Sequence, residues 1–208
     1  MGTRVVTAGA LSMVVALGAA APADAAKRRP KPSCSAKGSE TVARGSGVRV
    51  FTLPGKGDVV QRLYGCVAAN GRKQLLTESS DDQYVTSSGF GDVRLSGRYV
   101  AWHSSATDVS CKADCPAGYD ATSESVIVHD LVRRRTARRA VVATYTARSL
   151  VLTQRGAVAW LSGDKLLAAD RRGTRVLDTG TIAPSSVRAE ISIVSWLRDG
   201  VERFARLD

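Results

Sequence analysis

Gly97-Arg98-Tyr99-Val100-Ala101-Trp102 decides how this chain reads, because its closing Val-Ala-Trp returns once unchanged and once as a near copy. Val100-Ala101-Trp102 is followed by Val158-Ala159-Trp160 and by Val194-Ser195-Trp196, and these hold all three tryptophans of the protein. A glycine or small residue stands shortly upstream of each, as in Leu95-Ser96-Gly97 and Arg155-Gly156. A large residue at the same point of similar hairpins is what stacked units need, since each must bury one face against the next.

Outward from these phrases, the text is short β-type runs broken by Gly, Asp, Asn and Ser, with no helical period sustained over three turns. Val48-Arg49-Val50-Phe51-Thr52-Leu53 alternates apolar and polar and stops at Pro54-Gly55. Arg62-Leu63-Tyr64-Gly65-Cys66-Val67, the turn pair Asn70-Gly71 and the return run 73–77 read as a hairpin. Residues 125–130 run into an arginine-rich turn with 136–142 returning, and 165–170 run into Arg171-Arg172-Gly173 with 174–177 returning. Each unit is thus two hairpins in series, a tryptophan-bearing pair and a pair with Asp or Asn near its turn. The units fall at about 38–79, 90–142, 147–180 and 185–208, the last with three evident strands, a size and layout suited to propeller blades.

Gly97-Arg98-Tyr99-Val100-Ala101-Trp102 followed by Ile127-Val128-His129-Asp130-Leu131 resembles the TolB/YVTN-type propeller repeats of secreted bacterial proteins. The resemblance covers most of 90–200 and, more loosely, 40–80. The chain departs from that pattern in lacking a Ser-Pro-Asp-Gly turn and in having four units where such propellers generally carry six or seven. The expected fold is all-β: about four propeller-like antiparallel units, the last incomplete, stapled by disulfides. A four-bladed ring, an open half-propeller that dimerises and a β-sandwich of the same hairpins all fit. In a closed ring, Glu40-Thr41-Val42-Ala43 would supply the strand missing from the last unit.

The N-terminus reads as an export signal. Arg4 is the charged start, residues 5–21 are an apolar Ala/Val-rich run, and Ala23-Asp24-Ala25 offers a peptidase site. The run is too short and too rich in Ala and Gly to favour a retained span, and Lys31-Pro32-Ser33 before Cys34 is not a lipoprotein signal. The expected organisation is a signal peptide at 1–25, a basic flexible linker at 26–33 and one repeat domain at 34–208, secreted and with no membrane span after cleavage. Cleavage would leave about 183 residues, enough for one substantial core, and the whole net charge of +11.

Four cysteines in an exported chain are expected to be oxidised. Cys111 and Cys115 are close enough in sequence to close a local loop, which leaves Cys34 with Cys66. A thiolate metal site is disfavoured, because Cys-x₃-Cys stands alone without a flanking His.

Little in the chain carries catalytic chemistry. There are two histidines, His103 and His129, both read as strand-end residues with ordinary hydrogen bonds. No Gly-x-Ser-x-Gly elbow and no phosphate-cradling loop is present. Asp108, Asp114, Asp120 and Glu124 are too loosely spaced for a calcium loop, so no cofactor is expected. The anomaly is basic: Arg133, Arg134, Arg135, Arg138 and Arg139 cluster at one turn, and Arg171, Arg172 and Arg175 at the equivalent turn of the next unit. Solvated turns are the plainer reading of such runs. If the turns project together, their field concentrates anions.

The expected role is a non-catalytic secreted binding or scaffold module. Its partner would be an anionic cell-envelope polymer or another envelope protein, with the oligomeric state open. Aromatic residues are too few for a base-stacking surface, so no specific nucleic acid is expected. The rival is a secreted hydrolase or lyase with a site assembled from loops on one face, which requires His103, Asp108 and Asp130 to converge.

Overall fold

Alternation of apolar and polar residues, interrupted every few residues by a turn-former, produces strands and almost nothing else in the computed structural model, which describes residues 33–81, 86–108, 122–146 and 148–208. Eight strands come first: β1 (Glu40–Gly45), β2 (Val48–Pro54), β3 (Val59–Val67), β4 (Arg72–Asp81), β5 (Thr86–Ser96), β6 (Tyr99–Asp108), β7 (Thr122–Asp130) and β8 (Arg135–Val142). They form one antiparallel sheet in sequence order. Then β9 (Val151–Leu152), β10 (Val158–Ser162), β11 (Lys165–Asp170) and β12 (Gly173–Thr179) make a four-stranded sheet. After a short 3-10 turn at Pro184–Ser186, β13 (Arg188–Glu190), β14 (Ile193–Arg198) and β15 (Val201–Arg206) make a three-stranded one. The fold is all-β, and none of the three sheets closes on itself.

The eight-stranded sheet is pinched at its middle. Strands β4 and β5 pair only at Ser80↔Ser88 and Asp81↔Ser87, whereas β3 and β4 pair from Val59↔Ser80 to Val67↔Arg72. Successive strands therefore group as four, four, four and three.

Turn chemistry fixes the registers. Gly71 takes the left-handed conformation (φ +62), and the Asn70 side chain accepts from the Arg72 amide at 2.9 Å. The β14–β15 hairpin closes on Asp199-Gly200, both at positive φ, the two-residue turn whose twist matches its strands. The expected ring closure is not made by residues 40–43. β1 pairs with β2 from Glu40↔Thr52 to Gly45↔Val48, because the short connection through Gly47 folds it back on its sequence neighbour.

Period-two alternation gives each inner strand two buried faces. Val100 and Trp102 of β6 point back into a cluster with Val48, Val50 and Leu63 of the first strands. Ala101, between them, points the other way, into a cluster with Leu150, Leu152, Val158 and Trp160. Ala159 in turn shares a third cluster with Val194 and Trp196. Each tryptophan thus packs toward the preceding group of strands, and each intervening alanine lies in the cluster that receives the next tryptophan. All three indoles are buried, Trp160 completely.

The disulfide Cys34–Cys66 ties the segment before β1 to β3, with Cα atoms 5.7 Å apart. Arg49 reinforces it, donating to the Cys34 carbonyl, to Ser39 Oγ and to Thr41 Oγ1, each at 2.9 Å. Its guanidinium also lies 4.7 Å from the centre of the buried Phe51 ring. Cys111 and Cys115 lie outside the described residues.

The indole nitrogens differ. Those of Trp102 and Trp160 have no hydrogen-bond partner among the described residues, while Trp196 Nε1 donates to Asp178 Oδ2 at 2.7 Å. Truncating Trp160→Ala should cost about 3–5 kcal/mol. Trp196→Phe should cost about 1–3 kcal/mol more than Trp160→Phe, because only the former strips a donor from a buried carboxylate. Urea titrations of the four proteins measure both. Replacing Cys34 and Cys66 together by serine should cost about 2–4 kcal/mol for a loop of this size, read as a lowered Tm.

Candidate functional site

In an antiparallel meander alternate turns emerge at the same end. At one such end lie Gly97-Arg98 between β5 and β6, residues 131–134 between β7 and β8, residues 153–157 between β9 and β10, and Arg171-Arg172 between β11 and β12. The Leu131 amide donates to the Arg98 carbonyl at 3.0 Å and joins the first two.

A buried aspartate organises each arginine-rich turn. Asp130, at the end of β7, accepts the amides of Val132 (3.1 Å) and Arg133 (3.0 Å) and pairs with Arg98 Nε at 3.1 Å. Asp170, at the end of β11, accepts the Arg172 amide at 2.8 Å and Arg175 Nη1 at 2.7 Å. Its other oxygen takes the Asp208 amide at 3.3 Å. An aspartate receiving amides two or three residues on is a side-chain mimic of a backbone turn, and here it also neutralises one guanidinium. The Arg175 hydrogen bond, opposed by burial and aided by the two amides, holds the Asp170 carboxyl at about 2. For Asp178, burial pushes upward, but the Trp196, Thr179 and Arg198 hydrogen bonds outweigh it and leave the carboxyl below its ordinary value.

Between these turns opens a cleft of about 800 Å³, lined by Arg98, Arg155, Arg171 and Arg172, with Tyr99, Gln154 and Asp208. Tyr99 sits against the β9–β10 turn because Gly156 has no side chain. A Cβ there would come within 2.7 Å of the ring, and φ is +75. Arg98 Nη2 donates to the Tyr99 hydroxyl at 2.8 Å. Arg172 pairs with Asp208. Arg155 and Arg171 hold no ion pair among the described residues, so the cleft keeps an excess of positive charge. Guanidinium groups gathered at a concave site are suited to bidentate capture of carboxylate or phosphate.

The structure divides the arginines singled out in the sequence. Arg171 and Arg172 line the cleft. Arg175 is committed to Asp170. Arg133 reaches Asp130 only at 3.9 Å, and Arg134 occupies a left-handed position (φ +55) at the tip of its turn. Arg135 opposes Asp130 across the hairpin. Arg138 and Arg139, being adjacent on β8, point to opposite faces. Arg139 is exposed. Arg138 is half-buried, and desolvation lowers its pKa despite the field of Asp170. Arg98 and Arg155 were not singled out. Their signal is the adjoining positive-φ glycine, in Gly97-Arg98 and Arg155-Gly156.

The residues required for a hydrolytic site do not converge. On β6, Tyr99 opposes Asp130, His103 opposes Val126, and Asp108 opposes Thr86. Nine residues of strand therefore separate the ends of this set, about 30 Å. His103 stacks on Tyr145 with ring centres 4.0 Å apart, and its Nε2 lies 3.8 Å from Glu124. The Nε2 atoms of His103 and His129 are buried without a close hydrogen-bond partner among the described residues. Burial pushes both imidazoles below their ordinary pKa. Asp114 and Asp120 lie outside the described residues. Among the described residues no group of three or more His, Cys, Asp or Glu could hold a metal ion, and no helix is long and apolar enough to cross a membrane.

No family model matches the chain, and no curated protein does. Among solved structures, a chain from a study of two prolyl endopeptidases is similar at 16% identity and a TM-score of 0.48. The match covers 85% of this chain and 30% of that one, so this chain spans about a third of its neighbour's length. A likeness of that strength assigns no activity.

Asp170 makes the cleft turn sensitive to acid. Its folded pKa of about 2 lies below the ordinary 3.8, so its contribution is complete above about pH 4 and is lost as pH falls through about 2. Asp170→Asn should cost about 1.5–3 kcal/mol near neutrality, the value of a hydrogen bond to a charged group. Urea midpoints of the two proteins should draw together as pH is lowered through that window.

Proposed function

We propose that this protein is a non-catalytic extracytoplasmic binding module of propeller type, and that its arginine cleft takes an anionic polymer of the cell envelope. The grouping of strands as four, four, four and three supports the propeller reading, with TolB/YVTN-like units as blades. The disulfide is compatible with an oxidising compartment, and the apolar N-terminal run with its small-residue site supports export. One observation carries the ligand class: Arg155 and Arg171 face a cleft without carboxylate partners among the described residues, beside Arg98 and Tyr99. A polymer bearing repeated phosphate or carboxylate groups offers several anions to several forks at once, where a single small anion would offer one.

Co-sedimentation of the protein with purified envelope and with a generic polyanion, at low and high salt, tests this reading. Arg155→Glu with Arg171→Glu should leave the melting transition in place and weaken envelope binding at least about tenfold, since each charged hydrogen bond contributes about 1.5–3 kcal/mol. Arg134→Glu with Arg139→Glu changes net charge equally outside the cleft and should cost far less. Equal loss from both pairs would mean that diffuse charge alone drives the contact, and unchanged binding in the first pair would remove the cleft from the account.

A further inference from the structure

The three-stranded sheet ends on β15, and this edge carries an arrangement that the arginine cleft does not involve. We propose that β15 is a homodimerisation strand, pairing antiparallel with β15 of a second copy about a two-fold axis through Phe204. The backbone parity comes first. The two-residue turn Asp199-Gly200 makes Arg198 and Val201 a hydrogen-bonded pair. Arg203 opposite Trp196 and Ala205 opposite Val194 are then hydrogen-bonded pairs as well. The Leu207 amide, donating to the Ser192 carbonyl at 2.8 Å, continues the same series. The amides and carbonyls of Glu202, Phe204 and Arg206 therefore point away from β14, along an edge that no described strand covers.

Two copies can satisfy these groups only in registers that set even-numbered residues against even-numbered ones. The register centred on Phe204 places Glu202 against Arg206 of the second copy, and the reverse, so that two opposite-charge pairs form directly across the junction. Shifting by two residues in either direction sets Phe204 against a charged side chain and loses the symmetric pairs. The side chains agree with this register. Phe204 is 77% exposed, and beside it on the same face Ile193 and Leu197 are 45% and 42% exposed. Joining the edges brings these apolar residues from both copies onto one six-stranded face. Pairing runs over 202–206 and stops where Asp208 is held by the Arg171 amide and Asp170. Main-chain bonds supply the contact and side-chain pairs the register, as in strand addition generally.

Sedimentation velocity of the full protein across a concentration series tests this. The wild type should show a monomer–dimer equilibrium. Glu202→Arg and Arg206→Glu should each weaken it about tenfold or more, because each replaces two attractive cross-strand pairs by two repulsive ones. Mixed in equal amounts, the two variants should recover a dimer, since each now presents the charge that the other lacks. Both substitutions are on exposed side chains, and an unchanged melting transition shows that the monomer is intact. A wild type that stays monomeric overturns the proposal, as does a dimer indifferent to both reversals or a mixture that fails to associate. Because the cleft arginines are untouched, polyanion binding by these variants reports on the cleft independently.

Discussion

A tryptophan seated against the strands that precede it, with a small residue facing the strands that follow, is the contact on which the rest of this molecule depends. A strand must present alternate residues to opposite faces, and burying both faces requires that the sizes match across each gap. Val-Ala-Trp meets that demand in three residues. Trp102 fills the space over β2 and β3, Ala101 leaves room for the cluster holding Trp160, and Ala159 does so for Trp196. The third copy reads Val194-Ser195-Trp196, and Ser195 lies on a face that no other described strand covers. The alanine-to-serine change falls in the last described unit. It suits an outer surface that also carries Ile193, Leu197 and Phe204.

Electrostatics at the turns follows from this packing. Stacked strands bring their hairpin ends together, so the arginines of different turns come close and repel. Asp130 and Asp170, both buried, each bind turn amides and a guanidinium, and Asp178 joins Trp196 and Arg198. At Asp170 and Asp178 the amide, indole and guanidinium donors outweigh desolvation and hold the carboxyl below its ordinary pKa. Charge that is neutralised this way builds the turn, and charge left over lines the cleft. Arg155 and Arg171 belong to the second kind, Arg175 and Arg98 mostly to the first.

Several features were legible before any coordinates. The hairpins at 48–77, 125–142 and 165–177 stand where alternation and turn residues place them, since both signals are local. Buried tryptophans and the Cys34–Cys66 bridge were legible too, the first from repetition and the second by proximity of the other two cysteines. The arginine-rich turns were seen, but their partition was not. Arg138 and Arg139 are neighbours in sequence and opposites in space, because adjacent strand residues face apart. Arg98 and Arg155 are isolated in sequence, and only the approach of two turns makes them neighbours.

Sequence alone thus determined what depends on near neighbours: strand identity, turn positions, the repeated tryptophan units and the large positive charge. Tertiary structure decided which strand closes on which. Glu40–Gly45 pairs with β2 rather than with the last sheet, because a short hairpin costs less loop entropy than a return from the far end of the chain. It also decided which arginines are neutralised and which line a cleft, since pairing depends on distances between turns that lie tens of residues apart. The free edge of β15 is of the same kind. A strand's residues say that it can pair, and only the arrangement of its neighbours says that no described strand lies on one side.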